Sequence, residues 1–286
     1  MKVITILSLF TVFFGFGQSN TEVFLFDVEK NNDKIEVSNG KNISNNEGYD
    51  NQPSFLDDSK ILFVSTRNDQ TDIIQYHVSY KTKNWINFSQ GGEYTPVKIP
   101  NKNAVSAIRL DIDGKQRLYS YDLSNGESTE LIKDLVVAYY TWYDENIIVS
   151  AVIEGEILNL YSTNILDGIS RKYATNVGRS FHRIPNSNLV SYISKENEKQ
   201  WKIKTVHPLT GRIRVMANTM KDVEDICWLN GNTLLSGKNN TLYKLKLKQD
   251  NNWKKVTDLS TNGITNITRL SVNALASKLL IVGNIG

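Results

Sequence analysis

Six short groups of polar and aromatic residues recur along the chain at intervals of roughly 42 to 45 residues, each just ahead of a tight turn that leads into the next strand. They are Asp50, Asn51 and Gln52; Glu93, Tyr94 and Thr95; Tyr139 and Tyr140; Arg179, Ser180 and His182; Glu224 and Asp225; and Asn266 with Arg269. Aromatic faces with a few convergent polar groups can bind a peptide segment, a sugar or a small polar ligand. Asn51, Glu93, Tyr94, Tyr139, Arg179, His182, Glu224 and Asp225 are the residues expected to form such a site. Two facing carboxylates drawn from Asp50, Glu93, Glu224 and Asp225 would instead suit glycosidic cleavage. The plain polar lining of a wet channel accounts for the same residues without any ligand.

Other chemistries find less support. A serine hydrolase of the α/β type would carry a Gly-x-Ser-x-Gly elbow, and none occurs. The three histidines, His77, His182 and His207, are expected in different repeats, which argues against a three-histidine zinc site. Cys227 stands alone between Ile226 and Trp228 and reads as a small buried hydrophobe. Asp111-Ile112-Asp113-Gly114 resembles half a calcium loop but lacks the remaining ligands, so it reads as a hairpin turn. No catalytic residue, metal or cofactor is therefore expected. A net charge of +3 is too small to imply a nucleic-acid partner, and the alternating Lys244, Lys246 and Lys248 read as a solvated strand face. The tryptophans and strand tyrosines, such as Trp142, Trp228, Tyr121 and Tyr192, read as packing between sheets.

The elements that would position these groups are clearest from Gln52 to Val78. Pro53–Leu56 is short and extended, and Leu56-Asp57-Asp58-Ser59-Lys60 is a polar turn whose Asp and Ser side chains can bond the following backbone. Ile61–Ser65 is apolar and β-branched, Thr66–Thr71 is a polar loop, Asp72–Val78 is a third strand, and a fourth is expected at Trp85–Ser89. Four short strands with no helical period between them describe one antiparallel sheet of an all-β repeat.

The string Pro-Ser-Phe-Leu-Asp-Asp-Ser-Lys-Ile-Leu-Phe-Val-Ser-Thr-Arg, followed by Thr-Asp-Ile, resembles the repeat of TolB-type propellers. In that family a Pro-x-Phe-Ser-Pro-Asp-Gly-like turn leads into an apolar strand and then an Arg and an Asp-Ile pair; Leu56-Asp57 and Ser59 replace Ser-Pro and Gly here. The resemblance implies a non-catalytic periplasmic scaffold that touches outer-membrane or peptidoglycan-associated proteins, with a partner's extended segment entering the channel mouth.

The turn at Asp57 has counterparts near Pro100, Asp144, Pro185, Asn230 and Asn273, so the chain predicts a six-bladed β-propeller of four-stranded blades. Asp113-Gly114, Asn125-Gly126, Glu154-Gly155, Asp167-Gly168 and Thr210-Gly211 fall where paired strands must reverse. After Asn273 only two strands remain, while Glu22–Val28 and Lys34–Ser38 form a hairpin with no first half of its own. Joined, they complete a sixth blade and leave no open sheet edge at the seam.

Before this hairpin, Met1-Lys2 precedes an apolar run from Val3 to Phe16 and small residues at Gly15 and Gly17. Residues 1–17 read as a cleaved signal peptide and 18–286 as one propeller domain, with no membrane span in the mature chain. The expected protein is periplasmic or secreted, monomeric, and binds an envelope protein or peptide segment through the channel mouth. The alternative is a propeller that acts on or binds a polysaccharide or other small polar ligand.

Overall fold

The computed structural model describes residues 20–31 and 33–286. An N-terminal hairpin, β1 (Thr21–Asn31) and β2 (Lys34–Asn42), precedes five four-stranded meanders. Blade 1 is β3 (Asn51–Phe55), β4 (Lys60–Arg67), β5 (Gln70–His77) and β6 (Thr82–Trp85); blade 2 is β7 (Gly92–Lys98), β8 (Ala104–Leu110), β9 (Gln116–Asp122) and β10 (Ser128–Ile132). Blade 3 is β11 (Val137–Trp142), β12 (Ile147–Glu154), β13 (Ile157–Asn164) and β14 (Ser170–Ala174); blade 4 is β15 (Val177–Arg183), β16 (Val190–Ser194), β17 (Lys202–Val206) and β18 (Ile213–Asn218). Blade 5 is β19 (Ile226–Asn230), β20 (Thr233–Lys238), β21 (Thr241–Lys246) and β22 (Lys254–Asp258). The chain ends with β23 (Ile264–Val272) and β24 (Lys278–Ile285), and blade 6 has the order β2-β1-β24-β23, with Thr21 opposite Asn284. The ring is all-β, six antiparallel four-stranded sheets; among the described residues the only helical segment is a 3-10 turn at Ser260–Asn262.

Burial within a blade follows strand position. Ile61–Val64 of β4, Ile147–Val152 of β12, Val190–Ser194 of β16 and Leu279–Val282 of β24 are buried without interruption, because these strands are covered on both faces by neighbouring blades. The outermost strands β2 and β6 are mostly exposed and polar. The turns after the inner strands are fixed by the side chains that predicted them. Asp57 Oδ1 accepts from Ser59 N (2.8 Å), Asp144 Oδ1 from Asn146 N (2.9 Å), Asn230 Oδ1 from Asn232 N (3.0 Å) and Asn273 Oδ1 from Ser277 N (2.9 Å).

Two equivalent hydrogen bonds tie neighbouring blades. The indole Nε1 of Trp142 donates to Ser106 Oγ of blade 2, and that of Trp228 donates to Ser191 Oγ of blade 4, each at 2.8 Å. Both rings are buried, so each indole N–H finds its partner only across the blade boundary. The lysine stripe also serves as a tie: Lys246 Nζ pairs with Asp33 Oδ1 (2.5 Å) and Lys244 with the Asp33 carbonyl, joining blade 5 to the N-terminal hairpin. That face is a junction between blades, not the freely solvated surface the alternation suggests.

The fourth strand of blade 1 runs Thr82–Trp85 instead of the expected Trp85–Ser89. A left-handed Lys81 (φ 56°) starts it earlier, and Asn87 ends it by accepting the Ile73 N–H (2.8 Å) and donating to Asp72 Oδ1 (3.1 Å). The expected signal peptide lies outside the described residues.

Candidate functional site

Two inner strands carry a β-bulge at the same place. Gln52 (φ 53°) and Thr95 (φ 54°) adopt the left-handed conformation, each directly before a proline, and pairing with the next strand breaks there. Thr95 is β-branched, for which positive φ is an outlier, and conformations of this kind persist where surrounding structure enforces them. Here the neighbouring blade does so, since Gln52 Oε1 accepts the Thr95 N–H at 2.7 Å.

The bulges shape the wall of a central cavity of about 190 Å³, lined among others by Gln52, Thr95, Tyr139, Arg179, His182, Asp225 and Arg269. Blades 4 to 6 supply its charged side. Asp225 Oδ1 accepts from Arg269 Nη1 (2.8 Å) and Oδ2 from Arg179 Nε (3.1 Å), while Arg179 Nε also lies 3.4 Å from Glu224 Oε1. Glu224 Oε2 pairs with Lys195 Nζ (2.7 Å), whose ammonium stands 4.3 Å from the Trp201 ring centroid. The chain Lys195–Glu224–Arg179–Asp225–Arg269 thus crosses three blades. A Cβ at Gly178 would lie 2.6 Å from Glu224 Oε2, so any larger residue there would displace this carboxylate.

Blades 1 to 3 supply the aromatic side. Tyr49 and Tyr94 meet edge to face with centroids 6.4 Å apart. Burial pushes the Tyr49 hydroxyl up to about 12, and Tyr49 lines a groove that shares no residue with the cavity but comes next to it where Tyr94 of the groove precedes Thr95 of the cavity. That groove, about 850 Å³, runs between blades 1 and 2 past Tyr49, Gln70, Thr71, Tyr94 and the exposed Ile112. Tyr140 is structural: its hydroxyl donates within blade 2 to Thr95 O (3.0 Å) or Ser106 Oγ (2.8 Å).

His182 lies deeper, where burial pushes its imidazole down to about 4 despite Asp225 nearby, so it is neutral at physiological pH. It shares blade 4 with His207, which follows β17, so the three histidines do not fall in three different blades as expected. His182 Nε2 is 3.0 Å from Ser180 Oγ. Ser180 is no free nucleophile, because the same oxygen accepts the Ile226 N–H (3.2 Å) and sits against the Ile226 carbonyl (3.3 Å), bridging blades 4 and 5.

Of the expected site residues, Tyr139, Arg179, His182 and Asp225 line the cavity, Glu224 joins through Arg179, and Tyr94 faces the adjoining groove. Asn51 and Glu93 are packed between elements instead. Asn51 Nδ2 contacts Thr21 Oγ1 (3.4 Å) at the ring seam, and Glu93 Oε1 accepts from Ser89 Oγ (2.6 Å) and Tyr121 Oη (3.0 Å). Burial pushes the Glu93 carboxyl up to about 7 and that of Asp50 up to about 6. With Asp50 and Glu93 wholly buried, and Glu224 and Asp225 adjacent and bound to cations, the four do not form the facing carboxylate pair that glycosidic cleavage would need. Tyr49 and Lys195 complete the site without having been expected. For Tyr49 a signal existed, since it precedes Tyr94 by the same 45 residues that separate Tyr94 from Tyr139.

Among the described residues no group of three or more His, Cys, Asp or Glu could hold a metal ion, and no helix is long and apolar enough to cross a membrane. Cys227 is buried, and burial pushes its thiol up, away from reactivity.

Fold and site define a six-bladed propeller with one half-aromatic, half-ionic channel mouth. No protein-family model and no curated protein matches the sequence. Solved structures do match by shape. A putative TolB from Agrobacterium tumefaciens has a TM-score of 0.71 at 11% identity, covering 94% of this chain and 100% of that one. TolB from Acinetobacter baumannii has a TM-score of 0.60 at 14% identity over 93% of this chain, which spans only 64% of that protein's length. A chain of the nidogen/laminin complex has a TM-score of 0.62 at 10% identity, covering 92% and 98%. An enzyme is similar as well, an oligogalacturonate lyase in complex with manganese (TM-score 0.57, 12% identity, covering 94% and 98%). The chain therefore has the TolB-type six-bladed propeller fold.

Proposed function

We propose that this protein is an exported, non-catalytic propeller that binds a protein or peptide partner in the cell envelope through the channel mouth. The observation that carries the reading is the small size of the cavity and the larger groove that comes next to it at Tyr94 and Thr95. A cavity of about 190 Å³ is smaller than the roughly 300–1,000 Å³ of sites that enclose a whole small molecule, yet a larger groove comes next to it, Tyr94 of the groove preceding Thr95 of the cavity. An extended segment lying in the groove with one side chain in the cavity fits both. Tyrosines at 49, 94 and 139 and the arginines opposite are the residue types that anchor such contacts. The TolB and nidogen/laminin likenesses are consistent with a protein partner. On this reading residues 1–17 are removed on export, and the mature chain acts as a monomer in the periplasm or beyond.

The test is a pull-down with the mature chain, residues 18–286, from envelope extract, with the captured protein identified and its binding reconstituted from purified components. Tyr49→Ala with Tyr139→Ala should weaken the reconstituted complex by at least tenfold. A partner whose affinity is unmoved by this pair would refute mouth binding.

A further inference from the structure

The ionic side of the mouth does not balance. Three cations, Lys195, Arg179 and Arg269, share two carboxylates, Glu224 and Asp225. Of the charged groups that line the cavity itself, two are arginines and only Asp225 opposes them. Both oxygens of Asp225 are already engaged, one by each arginine. Among the described residues Nε and Nη2 of Arg269 and Nη1 of Arg179 make no hydrogen bond, and both side chains are largely buried (17% and 31% exposed), so their charge is poorly screened. A buried excess cation with open donors favours an anion, most of all a planar carboxylate that a guanidinium can hold with two bonds. Thr95 Oγ1, on the cavity wall and buried without a partner, offers one more donor. The part of the wall from blades 1 to 3, which includes Gln52, Ser54, Thr95 and Tyr139, brings no competing charge.

We infer that the cavity takes the carboxylate of an acidic residue in the partner's extended segment, held by Arg269 and Arg179, with the flanking residues against Tyr49, Tyr94 and Tyr139. This deepens the proposed function and rests on it. An acidic sugar could present the same group, but the groove sets Leu110, Ile112 and two tyrosines beside Asp69, Gln70 and Asp111, a mixed lining that suits the varied side chains of a peptide better.

The test uses two pools of nonapeptides capped at both ends, randomised except at the central position, which is Glu in one pool and Gln in the other. The parent chain should retain the Glu pool about tenfold more strongly, as expected of a charge-assisted bond, and added salt should erode that preference. Arg269→Gln should abolish the preference, Arg269→Lys should keep part of it, and Tyr139→Ala should weaken both pools together. The salt titration on the parent decides the matter even if the arginine variants misfold. Equal retention of both pools, each weakened by Tyr139→Ala, would overturn the carboxylate inference and leave mouth binding standing. Retention of neither pool, with binding of a galacturonic acid oligomer, would overturn both.

Discussion

Asp50 shows how a single side chain can oppose the fold that contains it. It is fully buried, neither oxygen makes a hydrogen bond of good geometry, and burial with the like charge of Glu22 outweighs the nearby Ser65 and Ser44 hydroxyls and Lys83. Its folded pKa, raised from 3.8 to about 6, favours the protonated form in the native state. Its contribution to stability is therefore fully present below about pH 4 and is lost as pH rises through about 6. Asp50→Asn should match the parent near pH 4 and exceed it at pH 7.5 by on the order of 2 kcal/mol. Denaturant midpoints at the two pH values check this, and an Asn variant no more stable at pH 7.5 would refute it. Residue types alone placed Asp50 and Glu93 in the channel with Asp225. The left-handed turns at Gln52 and Thr95 break the alternation by which strand residues are assigned to a face, and these turns are invisible to a reading by spacing.

Elements hold together through the blade boundaries. Ser106 Oγ accepts the Trp142 N–H at 2.8 Å and stands at the same distance from the Tyr140 hydroxyl. Ser106→Ala leaves the indole N–H buried without a partner and should cost about 1–3 kcal/mol. Adding Trp142→Phe should cost less than the sum of the single changes, since the stranded donor is then gone; strict additivity in urea melts would show that the bond contributes nothing. At this scale the sequence was largely legible. The Asp, Asn and Ser turns and the unbroken apolar runs identify the inner and second strands of the blades, because both signals arise locally. The fourth strand of blade 1 was misplaced because its end is set by Asn87 reaching back to Ile73, a contact between separate strands that periodicity does not register.

At the level of the molecule, ring closure rests on β1 and β24. The pairing of Thr21–Asp27 with Lys278–Asn284 is what makes blade 6 a four-stranded sheet, and Val23 and Leu25 share one apolar cluster with Ile61, Phe63 and Leu280. Removing residues 20–42 should therefore destabilise blades 6 and 1 together and broaden the thermal transition. Hydrogen exchange that rises in β24 and β4 while β12 and β16 keep their protection would show it; a sharp transition at the parent temperature would refute it. The six-fold count and the closing hairpin were readable from the repeat, whereas the identity of the bound molecule was not, because the mouth is assembled from one or two residues of every blade.

The seam also sets the order of events as the chain acquires its structure. β1 precedes the five complete blades in the chain and its partner β24 follows them, so the apolar face of Val23 and Leu25 must wait unpaired while those blades form. Pairing across so long a stretch makes the last step slow. Until it occurs, the waiting strand is a sticky edge that a chaperone could shield.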